Sequence, residues 1–203
     1  VGDRYCMVFE GTVRESMALG QRLVLRRKIT SWLDSAQITV EDIISNESWY
    51  ETPLLTSYHI NFGFPLISHS AQVEFHNHLA TEYYNDASRA RGMEDINGCD
   101  MPTRDFAEQI YLQRLQPDHG FCSFTVRNAV NSRDMAVTVR YSENLNHLIH
   151  WRQFGEGDYV LGFEPANTTI HGRAEERANQ HVVMLKPQDF VKYTINFDFS
   201  SQV

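Results

Sequence analysis

Between Tyr193 and Phe199 the chain alternates strictly. Tyr193, Ile195, Phe197 and Phe199 fall on one parity, and Thr194, Asn196 and Asp198 on the other. A two-residue repeat of this kind suits a strand with one buried face and cannot make a helical stripe. The same period marks Tyr5 to Val13, with Tyr5, Met7, Phe9 and Val13 on one parity. It returns at Arg22 to Trp32, Ile38 to Ile43, Phe121 to Asn128, Met135 to Tyr141, Leu148 to Gln153 and Tyr159 to Glu164. Polar turns such as Leu19-Gly20-Gln21 and Asp34-Ser35-Ala36 separate the early segments and predict an antiparallel meander. Phe106 to Leu115 reads equally well as helix or strand, and Ala174 to Asn179 as one short helical turn. No alternation of strand and helix patterns points to a parallel sheet, so the fold class is all-β, a sandwich or barrel. The stretch Ser70 to Arg104 holds Gly92, Gly98 and Pro102 and lacks sustained periodicity. It reads as an irregular insertion within a single domain spanning residues 1–203.

A chain of 203 residues can bury a core without staples. Its 18 Lys and Arg against 26 Asp and Glu leave a net charge of −8, which excludes nucleic-acid binding by bulk charge. No apolar run approaches the roughly 18 residues of a membrane span. The start of the sequence has no apolar segment of the signal-peptide kind. Cys6, Cys99 and Cys122 form no C-x-x-C pair and read as free thiols, which suits a reducing, cytoplasmic location. Association into a homo-oligomer is left open.

Three segments carry unusual residue choices. In Tyr58-His59-Ile60-Asn61-Phe62-Gly63-Phe64-Pro65, His59 and Asn61 are two apart and share a face if the segment is a strand. A core strand with locally satisfied polar groups would look the same. In Gly155 to Asn167, an apolar strand runs into Glu164 followed by Pro165, holding a carboxylate at a rigid strand end. An ordinary polar terminus is the alternative. In His171-Gly172-Arg173, Arg173 offers a fork of donors for hydroxyls or a carboxylate, or a surface ion pair with Glu175 or Glu176. Trp151-Arg152-Gln153 sets an aromatic plate beside polar donors, which suits a sugar as well as a core tryptophan.

Together these segments resemble a known family. N-E-S-x-x-x-x-T-P-L-L-x-x-Y-H-I-N-F-G-F-P (Asn46 to Pro65), F-A-E-Q-I-Y (Phe106 to Tyr111), W-R-Q-F-G-E-G-D-Y-V-L-G-F-E-P-A-N (Trp151 to Asn167) and Gly172-Arg173 are similar to the aldose 1-epimerase-like proteins of the galactose mutarotase superfamily. The resemblance runs from about Glu10 to Phe199. It implies an antiparallel β-supersandwich with a sugar cleft, incomplete here at its N-terminal side. It also implies an enzyme that interconverts sugar anomers, with a small-molecule carbohydrate as partner and no metal or organic cofactor. His59 would be the general acid and Glu164 the general base. Asn61, Glu108, Gln109, Trp151, Arg152, Asn167 and Arg173 would be substrate contacts. The acid–base pair suits the chemistry: a carboxylate takes the anomeric hydroxyl proton while a histidine protonates the ring oxygen.

The sequence departs from the family pattern in one respect. Mutarotases use an earlier histidine and arginine, and the first histidine here is His59. A non-catalytic sugar-binding or sugar-sensing module is therefore a second reading. A third is a cupin-like metal enzyme, since His76, His78 and Glu82 make an H-x-H-x-x-x-E pattern whose imidazole and carboxylate ligands suit Fe, Mn or Zn.

Overall fold

A computed structural model describes residues 5–130 and 133–202. The outer bounds of the expected domain, residues 1 and 203, lie outside the described residues. Strands dominate, as the period-two pattern predicts. One sheet has seven, in the order β1 (Cys6–Ser16), β2 (Arg22–Trp32), β3 (Gln37–Asn46), β14 (Phe190–Gln202), β10 (Arg133–Ser142), β9 (Phe121–Val130) and β6 (Gln72–Phe75). A second has five, in the order β5 (Ile60–Phe62), β12 (Tyr159–Ala166), β11 (His147–Phe154), β8 (Gln109–Leu115) and β7 (His78–Tyr83). β4 (Thr52–Leu54) and β13 (Val183–Leu185) form a small separate pair. The pairings within all three sheets are antiparallel. Two short helices, α1 (Asp86–Arg91) and α2 (Arg173–Ala178), complete the elements of the described residues. None is long and apolar enough to cross a membrane.

The two large sheets share one core. Phe124, Val139, Tyr193 and Ile195 of the seven-stranded sheet pack against Phe62, Leu148, Leu161 and Phe163 of the five-stranded one. The Phe124 and Phe163 rings lie 4.3 Å apart between centroids. The expected meander is β1-β2-β3, and the ambiguous segment at 106–115 resolves as strand β8. β1 has lost the rule that one face be covered: Met7 and Phe9 are 71% and 63% exposed. Their parity faces the same way as Leu25 and Ile29 of β2, so the apolar face of the large sheet runs on past the second sheet.

The irregular insertion needs correction. Residues 70–104 contain β6, β7 and α1. β6 has four residues, and β7 is an edge strand with a register shift between His78 and Ala80, so neither gives a long alternation. The helix is fixed by its cap: Asn85 accepts from the Ser88 amide, while Ser88 Oγ takes the Asn85 amide.

Candidate active site on the five-stranded sheet

Strand pairing brings the candidate acid and base together. Ile60 pairs with Phe163 and Asn61 with Gly162, so His59, one residue before β5, falls opposite Glu164. The preceding segment is pinned to the same strand. The Tyr58 amide donates to the Pro165 carbonyl and the Asn167 amide to the Thr56 carbonyl, each at 3.0 Å. The Asn167 side chain accepts from the Thr56 amide at 2.7 Å and donates to the Leu54 carbonyl at 3.1 Å. Tyr58, facing the other way, donates to Asp42 of the large sheet at 2.5 Å, and Arg27 grips that carboxylate through two nitrogens. His59 is thus held on both sides by its neighbours in the chain.

His59 Nδ1 lies 2.9 Å from Glu164 Oε1, with side-chain exposures of 47% and 18%. Ser57 donates to Glu164 Oε2 at 3.4 Å. In β-strand alternation, Gly162 and Glu164 share a face, as do Ile149 and Trp151 across the ladder, and Ile110 and Leu112 beyond. Asn61 joins this face opposite Gly162. The Trp151 ring sits 5.6 Å from that of His59, and its indole N–H donates to Glu108 Oε2 at 2.8 Å. Gly162 makes room for it: a Cβ there would meet Trp151 at 2.8 Å. His59, Asn61, Glu108, Trp151 and Glu164 therefore share one solvent-reaching surface, with an aromatic plate beside a close imidazole–carboxylate pair.

The other candidate contacts do not reach this surface. Arg152 and Gln109 are the alternate residues of their strands, so they point into the sandwich. Arg152 is fully buried, donating to Gln109 Oε1, the Gly98 carbonyl and Asp100 Oδ2. Arg91 meets the same Asp100 carboxylate at 3.2 Å, and Tyr159 donates to the Asp100 carbonyl at 2.6 Å. This cluster fastens the loop after α1 to the sheet. Asn167 is buried in the pinning just described. Arg173 is exposed in the first turn of α2. Sequence reading passed over Gly162, although a glycine inside the apolar run Val160 to Phe163 is itself a sign of close approach.

The H-x-H-x-x-x-E pattern also comes apart. His76 is taken by Ser123 and Thr125, His78 by Thr81 and Gln113, and Glu82 by Arg114. His76 lies in the turn between β6 and β7, where alternation no longer applies, so the two imidazoles face different partners. Among the described residues no cluster of three metal-ligating side chains occurs.

Residues 1–199 match the model of a family described as "Domain of unknown function (DUF4432)". The chain belongs to the DUF4432 family. No curated protein matches this DUF4432 chain. Solved structures do. One is a Klebsiella pneumoniae protein described as a "putative aldose 1-epimerase", at TM-score 0.88 and 20% identity, covering 96% of this chain and 51% of that one. A galactose mutarotase-like protein of Clostridium acetobutylicum matches at TM-score 0.65 and 17% identity, over 98% of this chain and 63% of that one. A galactose mutarotase related enzyme of Lactobacillus acidophilus matches at 0.62 and 12%, over 93% and 71%. This DUF4432 chain thus has a galactose mutarotase-like β-sandwich fold and spans about half the length of the Klebsiella protein.

Proposed function

We propose that the outer face of the five-stranded sheet is the active site of an aldose 1-epimerase reaction, run by His59 and Glu164. The observation that carries this reading is their 2.9 Å contact across the β5–β12 edge. A mere binding surface has no need of a matched donor and acceptor beside an aromatic plate.

The chemistry follows from which atoms are free. With its Nδ1 turned to Glu164 Oε1, a protonated His59 has its Nε2–H available for the sugar. Glu164 removes the anomeric hydroxyl proton as the C1–O5 bond breaks, and His59 Nε2 delivers a proton to O5. The open-chain aldehyde turns about C1–C2. The O5 hydroxyl then attacks the other carbonyl face, returning its proton to His59 while Glu164 reprotonates O1. Protons and electrons balance with one acid and one base. Trp151 supports the sugar's C–H face, as aromatic rings do with apolar surfaces. Asn61 and Glu108 are within the same surface and supply hydroxyl contacts.

The test is anomer exchange by saturation-transfer NMR over a panel of aldoses, comparing wild type with Glu164→Gln. Loss of a general base predicts a fall of about 100-fold or more, with the fold retained. Acceleration that survives this substitution would sink the assignment. Sugar binding without acceleration in the wild type would instead identify a binding module.

A further inference from the structure

We propose that Tyr84 and His171 form a second sugar subsite on the same sheet face, so that the cleft takes a reducing disaccharide. The reducing ring would lie at His59 and Glu164, and the second ring against Tyr84 and His171. This deepens the epimerase reading and rests on it for the first subsite.

The placement follows from register. Trp151 pairs with Ile110, and the Tyr84 amide donates to the Ile110 carbonyl at 3.0 Å. Tyr83 pairs with Tyr111 on the buried face, which turns Tyr84 to the opposite face, that of Trp151. Asn61, Gly162, Trp151, Ile110 and Tyr84 thus form one row across the sheet. Tyr84 stands two strand spacings, about 10 Å, beyond Trp151. One sugar ring seated on Trp151 beside His59 does not cover that length, and a second ring does.

Tyr84 is also built like a platform. Its ring packs on His171 at 4.8 Å between centroids, tilted by 39°. His171 Nδ1 is turned to the Tyr84 hydroxyl at 3.3 Å and towards Glu175 at 3.7 Å. Its Nε2 edge therefore faces away from both and is available to a hydroxyl. Both platforms follow one plan, an aromatic plate steadied by a polar partner: Trp151 by Glu108, Tyr84 by His171. Ile110 between them supplies an apolar floor. The bland alternative is that the Tyr84–His171 contact only fastens the segment around α2 to the sheet.

Anomer exchange of glucose and galactose is compared with that of maltose, cellobiose and lactose, for wild type, Tyr84→Ala and His171→Ala. Saturation-transfer difference spectra of each disaccharide are recorded alongside. Wild type is expected to favour at least one disaccharide over its reducing-end monosaccharide. Either substitution should lower that preference about tenfold, an aromatic contact's worth of binding. Saturation of the non-reducing ring should fall with it. Equal loss for mono- and disaccharides, or lower melting temperature with the preference intact, would show a fastening role and overturn the subsite. Absence of saturation on the second ring in wild type would overturn it too. Absence of exchange with any sugar would defeat the epimerase reading alone. Saturation of the second ring, lost in Tyr84→Ala, would still support the subsite.

Discussion

Trp151 and Arg152 are neighbours on β11 and live in different worlds. Trp151 lies on the outer face, against His59 and Glu108, where solvent reaches it. Arg152 lies on the inner face with no exposure, tied to Gln109, Gly98 and Asp100. The residues of β12 divide in the same way: Gly162, opposite Trp151, lies outside with Glu164, and Leu161, opposite Arg152, lies inside with Phe163. A sequence motif that reads as one sugar-binding unit is therefore two devices printed on alternate residues. One is a candidate site, and the other is an anchor for the loop after α1. Substitutions on the two faces should separate activity from stability.

Arg152→Met should break the inner device with the largest effect on stability. It leaves Gln109 Oε1, the Gly98 carbonyl and Asp100 without a buried donor, a loss of about 3 kcal/mol. For a chain of this size that lowers the melting temperature by roughly 6–12 °C. Anomer exchange measured well below the transition should stay within a few-fold of wild type. A stable protein with abolished exchange would instead return Arg152 to the substrate.

Gly162→Ala should break the outer device with little effect on stability. The new Cβ would meet the Trp151 ring at 2.8 Å. Trp151 is half-buried, so it can swing outwards rather than strain the core. The expected result is a red shift in tryptophan emission and about tenfold slower exchange, the scale of one displaced aromatic contact. A loss of several kcal/mol in stability with unchanged exchange would mean that Trp151 serves only packing.

These two faces also explain what the sequence disclosed. Long strands were legible because one buried face enforces a two-residue period over many turns of the pleat, as in β14. β6, at four residues, and the edge strand β7 escaped because so short or irregular a run leaves no pattern. The pair His59 and Glu164 was reachable only through resemblance, since the two are 105 residues apart in the chain and only the β5–β12 register joins them. Asn46 shows the converse. It belongs to the resemblance motif, yet it is buried, donating to the Tyr50 and Leu185 carbonyls and accepting from Ser48 and Thr52. Polar residues that build a turn and polar residues that bind a ligand look alike until burial is known.

His150 gives the smallest and most specific test of the inner face. It is fully buried, stacked on Phe163 at 4.8 Å, and accepts at Nδ1 from Gln113 at 3.2 Å. The proton of its neutral ring is therefore on Nε2. Burial, with Arg152 nearby, holds its pKa well below the usual histidine value. His147 on the same strand is lowered as well, chiefly by burial. Below the ordinary value near 6.5 the unfolded chain takes up protons that the folded chain refuses, so stability must fall as pH falls. A histidine that stays neutral in the folded state, as His150 does, withdraws about 1 kcal/mol over the first pH unit below that value. His150→Phe keeps the stack and removes the titration, at the cost of Gln113's acceptor. Its urea midpoint should be lower at pH 8 and should decline less than wild type between pH 7 and 5.5. Carboxylates and His147 titrate in both proteins, so they cancel in the difference. Parallel pH profiles would mean that His150 is protonated in the folded state, and that the inner face of β11 tolerates a charge beside Arg152.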